Sequence, residues 1–205
     1  MRVMGFSLWI FMLMLCGIAI KFPENIFDLK LIQYFQQTHS DFAIQLAQYL
    51  AYVGGLPGTV ILVLLLVMYN LFKRHRLEAY TCILGLLFTA STTWLLKWIF
   101  ARPRPVVETQ IVEVYGSSFP SAHSAYAMMF ASMLMISFPL KEYRWIWSMA
   151  CFWFILMGLS RVYLGVHYPT DVFAGWSLAG LIMLSIHANL YRSGIKQQNS
   201  QKALY

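Results

Sequence analysis

Charge is what this sequence has least of. Only 11% of its 205 residues are Asp, Glu, Lys or Arg, while 60% are hydrophobic; an ordinary soluble domain is about a quarter charged. That balance excludes a soluble domain and points to an all-α, polytopic membrane protein occupying 1–205 as one membrane-embedded domain. Cysteine is also scarce: Cys16, Cys82 and Cys151 lie in apolar runs, and an odd number supports no disulfide framework. The five histidines, at 39, 75, 123, 167 and 187, are scattered without zinc or iron–sulfur spacing. Neither a metal nor another cofactor is expected. Acids are fewer than bases, 8 against 15, but the bases form small clusters between apolar runs rather than one soluble face. Topology explains such clusters better than a nucleic-acid partner.

The apolar runs divide the chain into six expected spans. Val3 to Ile20 is eighteen uncharged residues behind Arg2, just long enough to cross a bilayer; a cleaved signal peptide is the competing reading. Pro23 to about Tyr52 is mixed, with apolar residues at helical intervals, and reads as short interfacial helices capped at Ser40 or Asp41. Gly54-Gly55-Leu56-Pro57-Gly58 breaks that pattern, unless the second interfacial helix runs straight into the membrane. Further spans are expected over about 57–72, 79–100, 122–140, 145–160 and 172–191, followed by a polar, frayed tail from about 192. Alternation from a cytoplasmic Arg2 puts Lys73-Arg74-His75-Arg76, Lys141, Arg144, Arg192, Lys196 and Lys202 inside, as the charge rule demands. Both termini are then cytoplasmic.

The same alternation gathers the unusual polar residues on one external face. Lys97 lies in the last turn of the third span and Arg104 just beyond it, Ser121 and His123 open the fourth, and Arg161, His167 and Asp171 join the fifth to the sixth. Ionisable groups at a bilayer are costly, which marks them as functional. Two histidines, several cations, a hydroxyl and a carboxylate suit phosphoryl transfer, in which positioning and charge stabilisation do most of the work. Helix starts after Pro120 and near Pro169 add free N–H groups for an anion.

These residues fall into three ordered motifs: Lys97, WIFARP, Arg104-Pro105; Pro120-Ser121-Ala122-His123; and Ser160-Arg161, VYLGV, His167, YPT, Asp171. The set resembles the type 2 phosphatidic acid phosphatase superfamily, and Ala122, where that family usually has Gly, is its one departure. The resemblance implies a six-helix, metal-independent membrane phosphatase. It implies that His167 attacks phosphorus to form a phosphohistidine, that Asp171 holds the His167 tautomer, and that His123 serves as acid and then base. Lys97, Arg104, Ser121 and Arg161 would bind the phosphate oxygens. Arg102, in a second Arg-Pro step, would contact a substrate headgroup or have no role.

A site at the membrane interface favours a lipid phosphate or diphosphate whose tail stays in the bilayer. Within the family, a compact bacterial inner-membrane enzyme is expected to act on undecaprenyl diphosphate, phosphatidylglycerophosphate or phosphatidic acid. Transfer of phosphate to an acceptor other than water and non-catalytic lipid transport are the alternatives. Taken singly, Lys97 and Arg161 also read as cations snorkelling to headgroups. The topology has a direct check. With the native cysteines replaced, Ser117→Cys is expected to react with an impermeant thiol reagent applied to intact cells; reaction only after the inner face is opened would reverse the orientation.

Overall fold

The structure, a computed structural model, describes residues 26–106 and 115–202, together with 7, 9, 10, 12–14, 16, 17 and 21; side chains are described as far as 192. The described elements are helices. Helix α1, Ile26–Gln37, places Asp28 and Ile32 on its buried side. Helix α2, Asp41–Gly54, starts where the Ser40 Oγ accepts a hydrogen bond from the Ala43 amide, so Ser40 is the cap. Helix α3, Leu56–Phe72, begins with Pro57 in its first turn, where a missing N–H is harmless. Only Gly55 separates α2 from α3, and the pair is bent by 57°. The chain therefore runs from the interfacial helix into the next helix with one break.

Helix α4, Arg76–Phe100, ends at Ala101, whose φ of 44° closes its last turn in the left-handed region. That conformation is uncomfortable for a residue with a Cβ, and Arg102 follows it directly. Helix α5, Ala122–Ser137, is capped by Ser121 and stops before Pro139. Helix α6, Arg144–Tyr163, gives way to a turn in which Gly165 takes φ 67°, a position suited to glycine. The turn delivers His167 to the start of α7, Pro169–Lys202.

Among the described residues three helices are long and apolar enough to cross a membrane: α4, α6 and the 169–192 part of α7; the bent α2–α3 pair makes a fourth if taken as one span. Six spans were expected, and two of the expected ones are helices shorter than that requires. Helix α5 has 16 residues and α3 has 17, about 24–26 Å at 1.5 Å per residue against a hydrocarbon core of about 30 Å. Most of the expected first span lies outside the described residues. The expected frayed tail differs too: α7 continues to Lys202, its Lys- and Gln-rich end containing no proline.

Helix α5 is the centre, touching α2, α3, α4, α6 and α7. Small residues on it, including Ala125, Ala127 and Ala131, are fully buried and let its neighbours approach. Met129, Met133 and Met183 join Val63, Leu66, Val67 and Cys82 in the main core. The outside is apolar as well: Ile61, Leu64, Leu65, Met68, Leu95 and Phe152 are exposed, a surface that fits lipid rather than water. Within this bundle Asn70 is fully buried and its amide donates to the Ser137 hydroxyl at 2.9 Å.

One close backbone crossing lies beside the site. A Cβ on Gly175 of α7 would lie 2.5 Å from the Ser121 carbonyl and 3.1 Å from the Ala125 amide, both backbone atoms of α5. Gly175→Ala is therefore expected to push the two helices apart, costing about 1–3 kcal/mol. Thermal unfolding in detergent should show a lower midpoint; an unchanged midpoint would mean that the crossing yields without strain.

Candidate active site

Three chain segments meet at the ends of α4, α5 and α7, and two backbone hydrogen bonds join them. The Ser118 amide donates to the Arg102 carbonyl at 2.8 Å, and the Ser121 amide donates to the Asp171 carbonyl at 3.0 Å. The first motif is thus tied to the approach of the second, and the second to the third. Backbone pairing of this kind satisfies buried polar groups that would otherwise destabilise the fold.

His167 lies in the loop before α7 and is 3% exposed. Its Nε2 is 3.4 Å from Arg104 Nη1. A guanidinium only donates, so Nε2 must offer its lone pair. The ring proton then sits on Nδ1, which is 3.5 Å from Asp171 Oδ2 and 3.4 Å from Ser118 Oγ. Burial pushes the His167 imidazole down to about 4, opposed by the hydrogen bond and charge of Asp171 and reinforced by Lys97 and Arg104. At neutral pH it is a neutral base with its free nitrogen facing a cation, the state a nucleophile requires.

Asp171 is fully buried in the first turn of α7. Its Oδ2 accepts from the Ser118 hydroxyl at 2.5 Å and from the Tyr168 amide at 2.9 Å, and its Oδ1 accepts from Arg102 Nη1 at 2.6 Å. Three groups therefore fix the carboxylate beside the ring. Ser118 carries no motif signal in the sequence.

The phosphate-binding candidates surround this pair. Lys97, in the last turn of α4, donates through Nζ to the Ser117 carbonyl at 2.6 Å. Arg104 spreads its guanidinium over the carbonyls of Tyr115, Gly116 and Val166 at 2.8–3.1 Å; burial lowers it from its ordinary value, opposed by Asp171. Ser121 is fully buried, its hydroxyl accepting from Ser124. Arg161, 3% exposed, donates to the Ala47 carbonyl at 2.7 Å and to Ser160 Oγ. It is a buried donor on the inside of α6, not a cation snorkelling outward.

His123, the second residue of α5, has Nε2 3.1 Å from the Ala51 carbonyl. A carbonyl only accepts, so that nitrogen carries the proton. His123 interacts electrostatically with Arg161, His167 and Lys97, which puts it in the same constellation. Ala122 opens α5 with an ordinary backbone; among the described residues, positive φ outside glycine occurs only at Arg74 and Ala101. Alanine therefore replaces the family's usual glycine here without strain.

Arg102 departs from expectation. It is 2% exposed, its Nη2 pairs with Asp28 Oδ2 at 3.1 Å, its Nη1 pairs with Asp171, and it lies over the Tyr168 ring at 3.9 Å. A side chain held inward on both arms by carboxylates cannot reach a headgroup. Asp28 of α1 is fully buried and also accepts from the Thr170 amide and hydroxyl, at 3.1 and 2.6 Å. The sequence reading passed over Asp28. The available signal was its register, since it shares a helical stripe with Leu31, Ile32 and Phe35, where a carboxylate is out of place.

Known proteins resemble this chain in sequence and in fold. The model of the PAP2 superfamily matches residues 77–194, more than half of the chain. An undecaprenyl-diphosphatase from Sulfolobus acidocaldarius is 30% identical over 164 residues, covering 77% of this chain and 74% of its own. Phosphatidylglycerophosphatase B from Bacillus subtilis is 37% identical over 98 residues, 45% of this chain and 47% of that protein. In fold, the crystal structure of a transmembrane PAP2-type phosphatidylglycerolphosphate phosphatase from Bacillus subtilis aligns with a TM-score of 0.73 and 24% identity, covering 92% of this chain and 96% of that one. The bundle, its three motifs and the matching family model lead to one conclusion: the chain belongs to the PAP2 superfamily, the phosphoric ester hydrolases of membranes.

Proposed function

We propose that the protein hydrolyses a lipid phosphate or diphosphate through a phosphohistidine on His167. The observation that carries this reading is the orientation of that ring, with Nε2 toward Arg104 and Nδ1 toward Asp171 and Ser118. In the first step the Nε2 lone pair bonds to phosphorus and the phosphorus–oxygen bond to the leaving group breaks. His123, carried as the imidazolium once the phosphate anion is bound beside it, gives its Nε2 proton to that oxygen and becomes neutral, which requires its N–H to turn from the Ala51 carbonyl to the substrate. In the second step a water attacks phosphorus, His123 takes its proton, and the P–N bond breaks, restoring His167. Lys97, Arg104, Arg161 and the N–H groups at the start of α5 hold the phosphate oxygens as charge develops. These fixed cations supply the charge that a metal ion supplies in other phosphatases.

The bilayer setting belongs to the same proposal. The protein lies in the bacterial inner membrane with six spans, both termini cytoplasmic and the site at the outer interface. Undecaprenyl diphosphate is the favoured substrate, since the relative of that activity matches across three quarters of its length; phosphatidylglycerophosphate is next. An enzyme at this interface takes the phosphate into the polar pocket and leaves the tail in lipid.

Phosphate release by the purified protein, measured across undecaprenyl diphosphate, phosphatidylglycerophosphate, phosphatidic acid and lipid A, ranks the substrates. His167→Ala is expected to lower kcat by about three orders of magnitude or more while the variant still purifies as a folded protein. Activity is expected to survive EDTA. Full activity in the variant would refute the phosphohistidine, and phosphate recovered on an added alcohol instead of in solution would make the enzyme a transferase.

A further inference from the structure

We propose that Asp28 and Arg102 are positioning residues for the reaction, acting on His167 through Asp171. This rests on His167 being the nucleophile. Arg102 divides its two terminal nitrogens between two carboxylates, Nη2 on Asp28 and Nη1 on Asp171 Oδ1. A guanidinium facing a single carboxylate usually forks across both of its oxygens. Asp28 holds one arm away, so Arg102 takes only Oδ1 and leaves Oδ2 for Ser118, the Tyr168 amide and the His167 ring.

Charge gives the same answer as geometry. The side chains of Asp28, Arg102 and Asp171 are at most 1% exposed, and two acids with one base leave the cluster with net negative charge. When Nε2 bonds to phosphorus, the ring keeps its Nδ1 proton and becomes cationic. A negative cluster beside Nδ1 stabilises that cation, whereas a neutral Arg102–Asp171 pair would stabilise it far less. Asp28 thus keeps Arg102 from neutralising the carboxylate that the nucleophile needs. Its bonds to the Thr170 amide and hydroxyl fix it at the N-terminus of the helix that carries Asp171, where an acid is favourable.

Asp28→Asn separates this role from a merely structural one. It removes one charge and leaves Arg102 paired with Asp171, so no buried charge is abandoned. With phosphatidic acid carrying short acyl chains as the probe, kcat is expected to fall about 10- to 100-fold, with KM within about twofold of wild type. Asp28→Glu, which keeps the charge, should stay within about fivefold. The double variant Asp28→Asn/Arg102→Gln returns full charge to Asp171 and should recover at least about fivefold over the single variant. An unchanged kcat in Asp28→Asn, a Glu variant as poor as the Asn variant, or a double variant worse than the single would overturn the role.

Acid-labile radiolabelled phosphate on His167, measured beside these rates, keeps the two readings apart. Label absent from the wild type removes the nucleophile and the positioning role together. Label present in the wild type with an unchanged Asp28→Asn rate overturns the positioning role alone.

Discussion

A guanidinium buried between two carboxylates is the constraint on which the rest of the site depends. Arg102 follows directly on the left-handed end of α4, Asp28 comes from α1, and Asp171 from the first turn of α7. In an apolar bundle an unpaired ion of any of these types would cost several kcal/mol, so the three segments that carry them are not free to drift. The positions of Lys97, Arg104 and His167 follow, because each lies within a few residues of a member of this cluster. A membrane protein has little hydrophobic driving force to separate one helix arrangement from another, and a buried polar junction supplies that discrimination.

The bundle and the site are built on different principles. Around α5 the packing is small-residue and thioether packing, with alanines and Met129, Met133 and Met183 filling the space between helices. At the helix ends, hydrogen bonds replace packing, and Gly175 lets the backbone of α7 lie against that of α5. The two meet at Ser121, which caps α5, donates its amide to the Asp171 carbonyl and belongs to a motif. Fold and chemistry therefore share that residue.

Much of this was legible in the sequence where local rules suffice. Helices α4, α6 and α7 announce themselves as apolar runs between basic clusters, and Lys97, Arg104, Ser121, His123, Arg161, His167 and Asp171 fall into motifs of fixed spacing. Their proximity followed from alternation across a bilayer. Asp28 and Ser118 were not legible. Asp28 acts on Thr170 across 142 positions of chain, and no periodicity within α1 states what its buried stripe will meet. Arg102 was misjudged because Arg-Pro steps look alike in sequence, although Arg102 turns inward and Arg104 faces the His167 ring. The break at Gly55 was legible in the Gly54–Gly58 run, whereas the 57° bend that could join its two flanking helices into one span was not.

Asp171 holds the motifs together in two independent ways. Its carbonyl receives the Ser121 amide, whereas its carboxylate serves the ring and Arg102. A change that removes only the carboxylate spares the backbone bond, and Arg102 still has Asp28 as a counter-ion. In the proposed mechanism, catalysis is thus separable from architecture at this position. If that mechanism holds, a descendant of this chain with the carboxylate lost would be silent yet intact, its proposed phosphate-binding groups still in place. The route from lipid phosphatase to lipid receptor is one substitution long.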